Sequence, residues 1–136
     1  MKSIVLYLHA HQPLRVKPYT IFDAGNDHMY FNDDTPHQDT NNRFIIDKVA
    51  TKSYLDTNAT LLGLLERHPE FCLSLSITGT LIEQLEVYRP DVLESFQRLV
   101  ATGRVEIVAE TYYHSLAFFF SRSEFVEQVR MHAETV

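Results

Sequence analysis

The sequence is short of cysteine, long hydrophobic runs and positive charge, and each shortage narrows the possible functions. With Cys72 as its single cysteine, the chain can form no internal disulfide, which is typical of a reducing compartment. The apolar stretch at residues 4–8 is too short to span a bilayer and lacks a signal-peptide cleavage site. We therefore expect a cytoplasmic protein that does not act in membranes, with Cys72 buried in its core.

Acidic residues outnumber basic ones. The chain has 18 Asp and Glu against 12 Lys and Arg, and its formal net charge is −6. A surface with this balance does not favour nucleic acids or anionic membranes as partners, but it leaves neutral ligands open. Tryptophan is absent, whereas seven Tyr, nine Phe and a hydrophobic fraction of 45% are enough for a folded core.

The hydrophobic pattern alternates between strands and helices, which predicts an α/β fold of parallel βα units. Strands are predicted at residues 4–8, 71–77 and 105–111. The first is expected to be covered on both faces, because it has no polar residue. Helices are predicted at residues 43–67, 81–102 and from 121 onward.

Proline, glycine and a capping motif set the helix boundaries. Pro69 ends the first predicted helix, Pro90 interrupts the second, and Gly103 is expected to be its C-cap glycine. The third helix opens with the capping box "SRSE" at residues 121–124. Its inner side is predicted to consist of Phe125, Val126, Val129 and Ala133.

Residues 12–42 are predicted to form one long polar loop. Loops of this length in compact domains are usually functional or disordered, and the Tyr, Phe and Met residues here argue against disorder. The segment "DAGNDHMYFNDD" at 23–34 has oxygen ligands for calcium but lacks the spacing and terminal Glu of an EF-hand. We expect a folded loop whose aromatic and amide side chains contact a ligand.

Polar side chains follow the predicted strands at the ends where parallel sheets bind ligands. His9, His11 and Gln12 follow the first strand, residues 78–80 the second, and "ETYYHS" at 110–115 the third. His9 and His11 are two apart and share a face if the strand reaches them. The predicted ligand-contacting residues are His9, His11, Gln12, Glu110 and His114.

Residues of this region suggest two other kinds of site, of which the spacing excludes one. Glu106 and Glu110, four residues apart on a strand, would be separated by about 13 Å, which is too far for a glycosidase carboxylate pair. Instead, His9, His11 and His114 would complete a three-ligand zinc site, although H-x-H alone is weak evidence. The other histidines are interpreted as ordinary structural residues: His28, His37, His68 and His132.

Three segments together resemble glycoside hydrolase family 57. "HAHQP" at residues 9–13 is similar to the opening motif of that family, and "GRVEIVAETYYHSL" at 103–116 resembles its second motif. "FDAGNDHMYFNDD" at 22–34 is similar to the first long loop of its α-amylase-like members. The resemblance covers essentially the whole chain, and Arg104 departs from the usual Gln.

The resemblance implies an incomplete seven-stranded (β/α) barrel, with residues 1–136 as its N-terminal portion. It also implies retaining cleavage or transfer of α-glucan linkages by a Glu nucleophile and an Asp general acid/base, without a metal or cofactor. By position, His9, His11 and His114 would line the active site. The two reacting carboxylates belong to later strands, so no catalytic residue is expected before Val136.

The chain ends without a helix cap, and a sheet of three parallel strands leaves an exposed edge. We therefore expect the front part of a longer protein that acts on an α-glucan or maltooligosaccharide, and no activity from this part alone. Two alternatives remain open. One is a metal-dependent carbohydrate deacetylase or hydrolase that uses His9, His11 and His114. The other is a non-catalytic carbohydrate-binding module whose sheet edge another chain completes.

Overall fold

A three-stranded parallel sheet forms the centre of the computed structural model, which describes residues 4–31 and 38–136. Its strands are β1 (Tyr7–Ala10), β2 (Leu73–Ile77) and β3 (Val105–Ile107), in the order β1-β2-β3. Both pairings are parallel, so β2 is hydrogen-bonded on both sides. The predicted α/β fold with parallel strands is confirmed.

Helices connect these strands in the predicted order. In the described ranges they are α1 (Asn42–Val49), α2 (Leu55–Arg67), α3 (Gly79–Tyr88), α4 (Pro90–Ala101) and α5 (Arg122–Thr135). A π-helical turn, Ala50–Tyr54, joins α1 to α2 without a break, and a 3-10 turn, Ala117–Phe119, precedes α5. None of the described helices has the length and apolarity needed to cross a membrane.

Local sequence explains where the helices begin and end. Thr78 and Ser121 cap α3 and α5, because each hydroxyl accepts a hydrogen bond from the backbone N–H three residues later. Pro90 occupies the first turn of α4, where its missing N–H costs nothing. Gly103 follows α4 with a φ of 70°, a conformation that favours glycine. The predictions for Pro90 and Gly103 are confirmed. Of the predicted capping box, the Ser121 cap is confirmed, whereas the Glu124 carboxylate accepts from Gln128 Nε2 at 2.8 Å.

The hydrophobic core lies between the sheet and the first four helices. Its fully buried side chains include Ile46 from α1, Leu65 from α2, Leu81 and Leu85 from α3, and Leu99 from α4. Burial of one such side chain contributes about 1.5–3 kcal/mol. This packing fixes β2 and the ends of its neighbours, which carry the polar residues described below.

The prediction that the first strand is covered on both faces is wrong. The strand begins at Tyr7 rather than Ile4, and the Ile4 side chain is 98% exposed. Tyr7 and His9 are also exposed, whereas Ala10 is buried, because alternate side chains of β1 point to opposite faces and only one face is covered. The third strand is shorter than predicted and ends at Ile107, although the Val108 N–H still donates to the Leu75 carbonyl at 2.9 Å.

The predicted inner side of the last helix is also wrong. Phe125, Val126 and Ala133 are exposed and Val129 is half-buried. The residues of α5 that face the interior are instead Gln128 and His132. They are buried because they form hydrogen bonds there: the Gln128 amide oxygen accepts from Ser115 Oγ at 2.7 Å, and His132 Nε2 donates to the Ile77 carbonyl at 2.9 Å.

Cys72 is exposed, contrary to the prediction that it belongs to the core. It immediately precedes β2, whose first residue, Leu73, is buried. Since successive side chains of an extended segment point to opposite sides, the inward position of Leu73 turns Cys72 outward.

The described part of the predicted long loop has contacts of its own. The Lys17 N–H donates to the Tyr30 carbonyl at 2.9 Å, and the rings of Tyr19 and Tyr30 lie 5.1 Å apart. Lys17 forms an ion pair with Asp27, which lowers the pKa of that carboxyl. Residues 32–37, which include His37 and the end of the acidic segment, lie outside the described ranges, so the loop's predicted ligand contacts remain a prediction.

Candidate functional site

Three imidazole rings meet at the carboxyl end of the sheet. The ring of His114 lies 4.6 Å from that of His9 and 4.6 Å from that of His11, measured between centroids. The rings of His9 and His11 are 6.1 Å apart and stacked, as expected for residues on one face of a strand. We call these three residues and Glu110 the imidazole cluster.

Glu110 joins two of the imidazoles. Its Oε2 lies 3.2 Å from His114 Nδ1, and its Oε1 lies 3.6 Å from His9 Nδ1. The Glu110 side chain is only 14% exposed, whereas that of His114 is about half exposed. Residues that follow different strands therefore share one polar patch, as the rule for strand ends predicted.

Ser76 of β2 and Thr78, which follows β2, place two hydroxyls beneath the rings. Ser76 Oγ lies 2.8 Å from His9 Nδ1 and donates to Glu110 Oε1, and Thr78 Oγ1 lies 2.9 Å from His11 Nδ1. Both hydroxyl residues are completely buried. Ser76 was not among the residues predicted for the site. The alternation of Ser and Thr with apolar residues in β2 was visible in the sequence, but their partners depend on how β1 and β3 align with it.

A tight turn, rather than strand parity, brings His114 back to Glu110. β3 ends at Ile107, so Glu110 and His114 follow the strand and do not belong to it. The His114 N–H donates to the Thr111 carbonyl at 2.9 Å, and His114 has a φ of 54°, which is uncommon outside glycine. Such a conformation costs on the order of 1 kcal/mol and persists where surrounding contacts enforce it.

Tyr112 anchors that turn to the start of α3. Its hydroxyl donates to Glu83 Oε1 at 2.8 Å, and its ring covers Gly79 so closely that a Cβ there would lie 2.2 Å from Tyr112 Cε2. Burial and the Glu83 carboxylate raise the pKa of Tyr112 to about 12. The side chain is buried and therefore does not share the exposed patch with His114.

The remaining predicted positions lie around this cluster. The Gln12 side chain accepts from Arg15 Nη2 at 3.2 Å, and the Gln12 carbonyl accepts from Gln84 Nε2 at 2.7 Å. These bonds fix the chain as it leaves β1. Glu106 lies on β3 itself, where it pairs with Ser74 of β2. The Ser74 hydroxyl is 3.5 Å from the Glu106 carboxylate.

The cluster favours neutral imidazole at His11. Burial lowers the pKa of His11 below its ordinary value of 6.5, and the nearby His114 and His9 lower it further, whereas Glu110 opposes the effect. A neutral ring retains both a hydrogen-bond donor and an acceptor nitrogen. The patch therefore offers donors and acceptors in close array, which suits a hydroxyl-rich ligand.

The same residues also include a possible metal-binding group. One donor atom each from His9, Glu110 and His114 lies within 4.8 Å of the others. In this set Glu110 takes the place that the zinc interpretation gave to His11. Two imidazoles and a carboxylate are a known ligand set for zinc.

Comparison with known proteins supplies the context for this arrangement. The model of glycosyl hydrolase family 57 matches residues 5–136. A putative alpha-amylase from Methanocaldococcus jannaschii is 42% identical over 92 residues, which are 67% of this chain and 20% of the relative. An alpha-amylase from Pyrococcus horikoshii is 29% identical over 96 residues, which are 70% of this chain and 14% of the relative.

A solved structure has the same fold. The 4-alpha-glucanotransferase from Thermococcus litoralis superposes with a TM-score of 0.62 and 22% identity, over 96% of this chain and 16% of that protein. The chain thus spans about a fifth or less of the length of the relatives it matches. Because the family match extends over nearly the whole sequence, the chain belongs to glycosyl hydrolase family 57.

Proposed function

We propose that the protein acts on α-glucans as a retaining hydrolase or transglycosylase, and that residues 1–136 form the N-terminal portion of its catalytic barrel. The imidazole cluster at the carboxyl ends of parallel strands is the observation that carries this proposal. The names of its relatives, alpha-amylase and 4-alpha-glucanotransferase, support this class of substrate. A cytoplasmic location fits the single cysteine.

The cluster's part in this function is to bind sugar rather than to cleave it. His9, His11, Gln12, Glu110 and His114 would line the site and hydrogen-bond the hydroxyls of a maltooligosaccharide. Neutral imidazoles suit this role because a sugar hydroxyl both donates and accepts. Retaining glycosidases use two carboxyls about 5 Å apart. Here Glu110 contacts Ser76, whereas the other carboxylate, Glu106, lies earlier on β3 beside Ser74. The reacting pair would therefore come from later parts of the barrel.

Further βα units would extend the sheet. Within the described residues, β1 and β3 each pair on one side only. Several apolar side chains near the turn after β3 are exposed: Leu116, Phe118, Phe119 and Phe120. Patches of this kind commonly mark surfaces that other elements cover. We propose that later strands and helices of the barrel pack there.

The test compares the intact protein with residues 1–136 alone, using maltoheptaose as substrate and chromatography of the products. We expect the intact protein to convert maltoheptaose into shorter or longer oligosaccharides, and residues 1–136 alone to release none. In the intact protein, His11→Ala should raise KM, because one hydrogen-bonding wall of the site is lost. His68→Ala is the matched control, since His68 lies exposed at the end of α2.

Two results would contradict the proposal. One is an intact, folded protein that converts no α-glucan. The other is release of reducing sugar by residues 1–136 alone that disappears when His11 or Glu110 is changed.

The possible metal group supports a second candidate, a metal-dependent carbohydrate deacetylase or hydrolase. It predicts about one tightly held zinc per chain and an activity that a chelator abolishes. The proposed glucan activity should instead survive chelation. Binding of maltooligosaccharides without any conversion by the intact protein would favour a non-catalytic binding module.

A further inference from the structure

We propose that Ser76 and Thr78 are positioning residues that fix opposite tautomers on His9 and His11, so that the site offers one imidazole acceptor and one imidazole donor to the substrate. The inference rests on the proposed function, because it concerns how the same site holds a sugar. It follows from counting the protons in two part-buried hydrogen-bond chains, one through Ser76 of β2 and one through Thr78, the residue that follows β2.

Alignment of the strands places each hydroxyl beside its imidazole. His9 of β1 lies opposite Ser76 of β2, so the two side chains share one face of the sheet. The ladder continues one step beyond the strands, because the Thr78 N–H donates to the Ala10 carbonyl at 3.2 Å. Thr78 is thereby held beside His11.

Ser76 determines the tautomer of His9. Its single hydroxyl proton is donated to Glu110, since a carboxylate only accepts. The contact of 2.8 Å between Ser76 Oγ and His9 Nδ1 must then use a proton on that nitrogen. In its neutral form His9 therefore carries its proton on Nδ1, and its Nε2 has a free lone pair.

Thr78 has the opposite effect on His11. Its oxygen already accepts the Leu81 N–H at 3.3 Å as the cap of α3. Thr78 is fully buried, so its own proton needs a protein acceptor, and His11 Nδ1 lies 2.9 Å away. A donation from Thr78 leaves His11 Nδ1 without a proton and places the proton of the neutral ring on Nε2, as a donor.

The two rings thus offer the substrate one hydrogen-bond acceptor and one hydrogen-bond donor. His9 offers an Nε2 acceptor and His11 an Nε2–H donor, with ring centroids separated by 6.1 Å. A sugar hydroxyl, or two neighbouring hydroxyls, can donate to the first ring and accept from the second. Two donors or two acceptors in these positions would leave one buried polar group unmatched on binding.

Nitrogen-15 NMR of the histidine side chains tests the proposal in the intact protein, because it distinguishes protonated from bare ring nitrogens. The resonances are assigned with His9→Gln and His11→Gln. We expect His9 to be protonated on Nδ1 and His11 on Nε2 in the unsubstituted protein. The same tautomer on both rings would overturn the inference.

Ser76→Ala tests the cause. We expect a loss of the Nδ1–H tautomer at His9 and a rise in KM for maltoheptaose of roughly threefold to tenfold, the worth of one hydrogen bond. Ser74→Ala is the matched control, since Ser74 is also on β2, two residues earlier, and only approaches Glu106. It should change neither quantity. Ser76→Thr keeps a hydroxyl and should restore the tautomer if Ser76→Ala folds poorly.

The two proposals can fail separately. Opposite tautomers in a folded protein that converts no α-glucan would contradict the proposed function alone. An active enzyme in which Ser76→Ala leaves the His9 tautomer unchanged would contradict the positioning role alone.

Discussion

Gly79→Ala probes how the turn that carries His114 is attached to the fold. A Cβ on Gly79 would lie 2.2 Å from Cε2 and 2.3 Å from Cδ2 of Tyr112, and contacts below 3.0 Å force a displacement. The ring cannot easily withdraw. Its hydroxyl is bonded to Glu83 at 2.8 Å, and the Tyr112 carbonyl accepts the Thr80 N–H at 3.3 Å.

Two opposing effects determine the expected change in stability. Alanine is favoured over glycine by up to about 1 kcal/mol inside a helix, and by less at the first residue of α3, where Gly79 lies. Overpacking of a filled core costs roughly 1–3 kcal/mol. We expect Gly79→Ala to lower the free energy of unfolding by about 1–2 kcal/mol. Displacement of Tyr112 should also move His114 and raise KM.

The assay is urea unfolding of the purified protein, with Gly63→Ala as the control. A Cβ on Gly63, in the middle of α2, would meet the Arg67 guanidinium at an ordinary 3.7 Å. That substitution should therefore stabilise the protein by up to about 1 kcal/mol. In a Tyr112→Leu background the cost of Gly79→Ala should shrink. If Gly79→Ala alone is as stable as the unsubstituted protein, the close approach of the ring is refuted.

Three further outcomes are expected. The NMR titration midpoint of His11 should lie below 6.5; His114→Gln should raise that midpoint, and Glu110→Gln should lower it further. Because the pKa of His11 is lower in the folded than in the unfolded state, protonation favours the unfolded state. The free energy of unfolding should therefore fall as the pH is lowered from 6.5 toward the folded pKa. His132→Ala should cost about 2–4 kcal/mol in urea unfolding, since it empties a buried site and leaves the last β2 carbonyl unpaired. Asn42→Ala should cost about 1–3 kcal/mol in the same assay, because the buried amide both donates to and accepts from the backbone of Arg15.

Much of the fold could be predicted because the features that determine it are local. Pro90 and Gly103 act through their own backbone geometry, and Ser121 caps α5 by accepting the backbone N–H of the residue three positions later. These properties do not depend on distant parts of the chain. The order of strands and helices, and hence the parallel sheet, followed from them and from the spacing of apolar residues.

The inner face of α5 could not be predicted in the same way. Hydrophobicity favoured Phe125 and Val126, yet the helix turns Gln128 and His132 inward. The reason lies 13 and 55 residues away, where Ser115 and the end of β2 provide hydrogen-bond partners for the two polar side chains. A buried polar residue is stable only where such partners exist, and their position is a property of the folded chain.

The site shows the same division between local and long-range information. The rule that ligands bind at the carboxyl ends of parallel strands predicted from sequence that His9, His11 and His114 would lie at one end of the sheet, where their rings meet. It did not identify Ser76, because serine in a strand is compatible with an exposed face. Only the pairing of β1 with β2 shows that Ser76 lies opposite His9 and is fully buried.

The apolar and hydroxyl residues that alternate along β2 therefore have two different roles. Leu73, Leu75 and Ile77 belong to the hydrophobic core, whereas Ser76 and Thr78, which alternate with them, are buried beneath the imidazole cluster. A central strand that is buried on both faces normally has apolar residues throughout. Hydroxyls in these positions require partners, and here the partners are the two histidines that the sequence had marked as ligand-contacting. In a parallel sheet, serine or threonine on a central strand opposite such a histidine thus points to a residue that orients it, and the tautomers of His9 and His11 are the direct measure of that role.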